Sequence, residues 1–182
     1  MKRLAPCGTR RNIRMFYVRM KTIALTQGYS AIVDDEDFEI LNSLAWQVVI
    51  PRDIAYAQGA FRMSDGRIKN IRMHRLILNA KPGTQIDHIN RNALDNRRCN
   101  LRFCTRSQNQ CNRVYDKRRH SSQYRGVYWD KQLELWRAQF FARRKTFYLG
   151  CFEREEDAAR AYDKAAMSYY GTFVRPNFPC AD

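Results

Sequence analysis

Between residues 22 and 73, apolar positions fall in short clusters parted by polar turns, the pattern of brief strands around one helix. Ile23–Leu25 and Ala31–Val33 read as strands. The acidic run Asp34-Asp35-Glu36-Asp37 opens a helix carrying Phe38, Ile40, Leu41 and Leu44, since acids in a first turn complement the helix dipole. Ile54–Met63 and Arg67–Met73, joined around Ser64-Asp65-Gly66, read as a β-hairpin. His74–Leu78 then begins a short helix closed by Asn79 and Pro82-Gly83. Further on, Ile86–His88 and Asn100–Cys104 read as strands flanking a polar loop at 89–98. Thr105-Arg106-Ser107-Gln108 fits a capping box, opening a helix with Asn109 in its first turn and Asn112 one turn on.

Residues 116–122 are polar and basic with no apolar anchor, which makes them a linker. Beyond them the pattern is cleaner. Tyr124–Trp129, Trp136–Arg143 and Thr146–Phe152 are three aromatic-rich strands. A helix with an acidic first turn follows from Glu153, runs to about Tyr170 and stops at Gly171. Its small residues Ala158, Ala161 and Ala165 recur at helical spacing and would let it lie close on a sheet. The expected fold is α+β: a β-rich N-terminal unit, a linker, then a three-stranded antiparallel sheet packed on one helix. The expected boundaries are a basic arm at 1–21, a unit at 22–115 with its core at 84–114, the linker at 116–122 and a second unit at 123–180.

The 182 residues carry 33 Lys plus Arg against 18 Asp plus Glu, a net charge of +15. The excess is uneven: residues 1–30 hold seven bases and no acids, residues 73–120 eleven bases and three acids. Such blocks suit a polyanionic partner with salt-sensitive affinity. At 45% hydrophobic residues the chain can build a core, and the longest apolar runs, Met15–Val18 and Ile54–Ala57, are far too short to span a membrane. The arm lacks the apolar core of a secretory signal. Cysteines at 7, 99, 104, 111, 151 and 180 show no paired spacing, so reduced thiols in a cytoplasmic protein are expected. Cys99, Cys104 and Cys111 lack the close Cys pairs of zinc sites.

The chemistry concentrates at 85–112. A strand–loop–strand–helix of this size can bring Asp87, His88 and Asn109 to one point. Hydrolysing a phosphodiester needs a base to activate water and a cation to stabilise the leaving oxygen. Histidine titrates near neutrality, which suits the base. Asp87 and Asn109 offer hard oxygens, which suit magnesium or manganese better than zinc. Asp87-His88, Asn100 twelve residues after the histidine and Asn109 nine further on resemble the HNH nuclease motif, especially its phage and intron homing-endonuclease branch. His74-Arg75-Leu76-Ile77 and Ala31-Ile32-Val33-Asp34-Asp35 are similar to phage HNH proteins as well. The resemblance implies a ββα-metal core with His88 as general base, Asp87 and Asn109 as metal ligands, and Asn100 tying the loop and orienting the histidine. His74 reads as a packing or supporting residue.

The C-terminal unit resembles the Apetala-two/ethylene-response-factor DNA-binding domain through Tyr124-Arg125-Gly126-Val127, Trp136-Arg137-Ala138, Tyr148-Leu149-Gly150-Cys151-Phe152, Ala158-Ala159-Arg160-Ala161-Tyr162-Asp163, Gly171 and Asn177-Phe178. Alternation puts Trp136, Ala138, Phe140 and Ala142 towards the helix. It puts Arg137, Gln139, Phe141 and Arg143 outwards, where a sheet can lie in the major groove. The candidate DNA contacts are these four with Arg125, Tyr128, Trp129, Arg144, Thr146 and Tyr148. Tyr128, Gln139, Phe141, Thr146 and Tyr148 stand where the plant proteins usually have Arg, Glu, Arg, Arg and Trp, so their target sequence does not carry over.

Two readings follow. The first is a metal-dependent, site-directed endonuclease of homing type, a monomer that nicks or cleaves duplex DNA and is aimed by its C-terminal sheet. The alternative is a non-catalytic DNA-binding transcriptional regulator.

Overall fold

The computed structural model describes residues 19–116, 118 and 120–179. Most of the arm expected at 1–21, with Cys7 and Cys180, lies outside the described residues. Strand β1, Met20–Ala24, pairs antiparallel with β2, Ser30–Asp34, and helix α1, Asp35–Asn42, follows with Asp35, Glu36 and Asp37 in its first turn. A three-stranded antiparallel sheet comes next: β3, Trp46–Val49, against β4, Tyr56–Arg62, against β5, Ile68–Arg72. Strand β3 extends the expected hairpin by one strand, because Trp46 and Val48 are buried while Gln47 between them is exposed. Helix α2, Met73–Ile77, leads to the antiparallel pair β6, Gln85–His88, and β7, Leu101–Cys104. Helix α3, Arg106–Cys111, opens with the capping box: Thr105 accepts from the Gln108 amide, and Gln108 accepts from the Thr105 amide.

One apolar core serves this whole stretch, running from Ile23, Ala31, Val33 and Leu41 through Trp46, Val48 and Ala57 to Met73, Ile77 and Leu101. The loop between β6 and β7 is pinned to it. Ile32 N donates to Leu94 O, and Asn96 N donates to Ile32 O. Arg97 forks onto Asp95, while Arg98 grips Asp37 through its guanidinium and Asp34 through its backbone N–H. These two arginines of the basic block are thus neutralised internally.

In the C-terminal unit the sheet order is β10, Lys145–Phe152, then β9, Leu135–Ala142, then β8, Val127–Asp130, all antiparallel. Helix α4, Glu155–Tyr170, buries Ala158, Ala159, Tyr162, Asp163 and Ala166, with Ala158 and Ala159 in one cluster with Val127 and Ala138, and Phe140 and Leu149 packed against Tyr162 and Ala166. The buried stripe therefore includes Ala159 and Ala166 where spacing pointed to Ala161 and Ala165, which are half-buried. Gly126 is required twice over: its φ is +77°, and a Cβ would sit 1.9 Å from the Tyr162 ring. The expected linker is tied at both ends. His120 stacks on Tyr115, and the buried Ser122 donates to Glu155.

Candidate functional site

A cleft of about 820 Å³ opens between β6, α2 and α3, with Asp87, His88 and Asn109 among its lining residues. Capping puts Asn109 in the first turn of α3, on the side facing β6, where its Nδ2 lies 3.4 Å from Gln85 Oε1. Arg91, Arg106 and Arg113 also line the cleft and make no ion pair among the described residues.

His88 is buried, its ring edge-on to His74 at 4.9 Å and to Tyr56 at 6.3 Å. Burial lowers its pKa from the usual 6.5, opposed by the Asn96 side chain and by the Asp87 and Asp95 charges. Imidazole Nε2 is buried without a hydrogen-bond partner, as is Asn96 Oδ1, although the two side chains interact. With the proton on Nε2, Nδ1, which takes no protein hydrogen bond among the described residues, is the free basic nitrogen. His74 is more strongly affected: burial, with the His88, Arg72 and Arg75 charges, takes its pKa to about 3. Both rings are therefore neutral imidazoles at pH 7.

Asn100 ties the loop: its Oδ1 accepts from Asn90 N at 2.9 Å, and its Nδ2 donates to Asp95 O at 2.7 Å. It makes no hydrogen bond to the His88 ring. The side chain that favours the charged imidazole is that of Asn96. Asn96 reaches His88 because Ile32 fixes its backbone from 64 residues upstream, a pairing that no local pattern signals.

Asp87 is buried and heavily engaged. Arg102 Nε and Nη2 lie 2.9 and 2.6 Å from Oδ2. Asn112 Nδ2 lies 3.0 and 3.1 Å from the two carboxylate oxygens and 3.0 Å from His88 O. Asn112, the C-cap of α3, thus meets Asp87 where Asn109 was expected to share that role alone. Oδ1 of Asp87 takes only the Asn112 amide, and Asn109 Oδ1 takes no hydrogen bond among the described residues. These two hard oxygens on one cleft fit magnesium or manganese, with water and phosphate completing the shell. Arg102 already neutralises Asp87, so a cation would join an ion pair and bind weakly without an added phosphate. A second acidic group, Asp34, Glu36 and Asp37, is held by Arg98.

The outer face of the C-terminal sheet is the other candidate surface. Phe141 is 66% exposed and Tyr148 56% exposed, with Thr146, the cross-strand partner of Phe141, exposed beside them; Trp129 pairs with Trp136 and so lies on the opposite face from Arg137. Arg137 lies between Tyr128 and Tyr148, 5.8 and 5.1 Å from their ring centres, and pairs with Asp130 at 2.8 Å. Gln139 is half-buried, level with Tyr148 across the sheet. Arg143 and Arg144 form the two-residue turn between β9 and β10, beyond the strand that was expected to include Arg143. Both are left-handed, with φ of 48° and 60°. Arg125 departs from expectation. Its guanidinium donates to the carbonyls of Gln110, Cys111 and Arg113 at the end of α3, so the side chain expected at the DNA is engaged within the protein.

Two family models match separate parts of the chain. Residues 122–172 match the AP2 domain, and residues 71–111 match the HNH endonuclease family. The curated relatives match over part of the chain. An AP2-like ethylene-responsive transcription factor of Arabidopsis thaliana is 41% identical over 64 residues, 35% of this chain and 14% of the relative. An AP2/ERF and B3 domain-containing protein of Oryza sativa subsp. japonica is 46% identical over 61 residues, covering 34% and 16%. APETALA2-like protein 2 of Oryza sativa subsp. indica is 40% identical over 65 residues, covering 36% and 15%. The chain thus spans about one seventh of the length of these relatives. No helix among the described residues is long and apolar enough to cross a membrane.

Proposed function

We propose that this chain is a duplex-DNA-binding protein whose contact surface is the outer face of the C-terminal sheet. The observation that carries this reading is the outer face of the sheet, where the exposed Phe141 and Tyr148 lie with Tyr128 and Arg137 and end in the Arg143-Arg144 turn. Its likeness to AP2 domains of transcription factors supports a regulatory role. The arginines neutralise phosphates, and the aromatic edges meet sugars or thymine methyl groups. Selection from a random duplex library, followed by anisotropy titration, tests it. Arg143→Ala with Arg144→Ala lowers affinity and reduces the salt slope by about two. An unchanged slope refutes the surface.

A second reading is favoured by the buried His88 beside Asp87 and Asn109 and by the likeness of residues 71–111 to HNH endonucleases. In it, the DNA held by the sheet is hydrolysed in the cleft. His88 Nδ1 takes a proton from water, whose oxygen attacks phosphorus as the phosphorus–oxygen bond to the leaving sugar breaks. Asn96 holds the tautomer, Asn100 holds the loop, and Arg91, Arg106 and Arg113 steer the strand. Asp87 and Asn109 would hold a divalent ion, which supplies charge stabilisation at the leaving oxygen. One centre per chain predicts nicks. Supercoiled plasmid with magnesium or manganese becomes open circles, and His88→Ala leaves it intact while binding DNA normally. Full activity in chelator, or an active His88→Ala variant, overturns this reading and leaves the regulator.

A further inference from the structure

We infer that the C-terminal unit braces the candidate catalytic centre mechanically, apart from any role in DNA affinity, and that Arg102 is the positioning residue joining the two. The inference rests on the nuclease reading for its consequence, though not for its geometry. All three guanidinium nitrogens of Arg102 are engaged. Nε and Nη2 hold Asp87 Oδ2, and Nη1 donates to Thr172 O at 2.9 Å. The guanidinium also stacks 4.1 Å from the centre of the Phe173 ring. Thr172 and Phe173 belong to the 3-10 turn Gly171–Phe173 that follows α4, and not to the outer face of the sheet. One side chain therefore fixes the Asp87 carboxylate to a turn of the other unit.

A second tie holds the opposite flank of the centre. Helix α3 has only six residues, far below the length at which a helix is stable alone. Its last carbonyls are capped from the C-terminal unit. Arg125 Nη1 donates to Cys111 O at 2.7 Å, Arg125 Nη2 donates to Arg113 O, and Arg175 N donates to Cys111 O at 3.3 Å. A cation at a helix C-terminus also complements the dipole. Cys111 itself packs against Tyr162, Ala166 and Val174 of the C-terminal unit. This same helix carries Asn109 and ends in Asn112, which holds Asp87 and the His88 carbonyl. Loosening the C-terminal unit would thus release the carboxylate and the helix together.

The test uses the full chain with Phe173→Ala, Phe173→Leu, Arg102→Lys and the Phe173→Ala/Arg102→Lys double variant. Lysine keeps a charge at Asp87 but lacks the fork that also reaches Thr172. Each single variant binds duplex with the affinity of the wild type, while single-turnover nicking falls about tenfold, the cost of a small misplacement. Phe173→Leu, which removes only the ring face, falls less. The double variant falls no further than the worse single, because both changes break one path. Amide exchange at residues 106–112, measured without metal or DNA, speeds up in each variant. Nicking and exchange at wild-type values in Phe173→Ala, or losses that multiply in the double variant, overturn the bracing. If the wild type nicks nothing, the nuclease reading fails by itself. Exchange then decides: faster exchange at 106–112 in Phe173→Ala sustains the bracing, and unchanged exchange overturns it.

Discussion

Acid should weaken the N-terminal unit, and His74 gives the amount. Its pKa is about 3 in the folded chain against 6.5 for an exposed imidazole. The unfolded chain therefore binds a proton that the native state refuses. The stability this imidazole contributes is full above pH 6.5 and is lost as pH falls from there towards 3. Each unit of pH in that window costs about 1.4 kcal/mol per proton, so pH 5 costs about 2 kcal/mol relative to neutrality. His88, also lowered by burial, adds loss of the same sign. Against a total of roughly 5–15 kcal/mol for a domain, this is a large fraction. The buried Trp46 indole reports unfolding of this unit in urea. The wild type and His74→Leu should be titrated at pH 7 and pH 5. Leucine removes the titrating group and keeps an apolar filling, so the difference between the two pH values shrinks by about 2 kcal/mol. Other groups cancel in the comparison. Equal losses in both proteins would refute the burial argument.

Three further outcomes follow from the geometry. If the cleft nicks DNA, the rate rises with pH only through the lowered pKa of His88 and is flat above about pH 7; a rate still climbing steeply at pH 8 in a magnesium plasmid assay contradicts this. Gly126→Ala drives a Cβ into the Tyr162 ring at a positive φ and costs about 3 kcal/mol or more, read as a lower urea midpoint of the C-terminal unit. Asn112→Ala strips the amide shared by Asp87 and His88 O and costs about 1–3 kcal/mol, with faster amide exchange at residues 85–89 as its local signature.

Legibility in the sequence followed distance along the chain. In the alternation from Trp136 to Ala142 the two alanines are buried and Phe141 is exposed, while Trp136, Arg137, Gln139 and Phe140 are half-buried, because period two is a local property and burial depends on what packs on each face. The Thr105–Gln108 capping box is local too, and it forms as read. The asparagines were harder. Positions 90, 92, 96, 100, 109 and 112 all carry the same amide, and only the fold decides which meets which group. Asn96 reaches His88 because Ile32 anchors it, and Asn112 reaches Asp87 across 25 residues. Charge misled for the same reason. Arg97, Arg98, Arg102 and Arg125 count towards a basic surface in the sequence, yet each is spent on a carboxylate or a backbone carbonyl inside the molecule.

The Arg143-Arg144 turn carries one more consequence. A hairpin tip with two left-handed residues is most comfortable as Asn-Gly, and bulky side chains there cost about 1 kcal/mol or more apiece. The chain tolerates that strain, and in return two cations project from the rim of the sheet on a rigid tip. Breeding this protein for heat resistance would drift towards Asn-Gly at these positions, and, on the proposed reading of the sheet, the hardened product would let go of duplex DNA sooner.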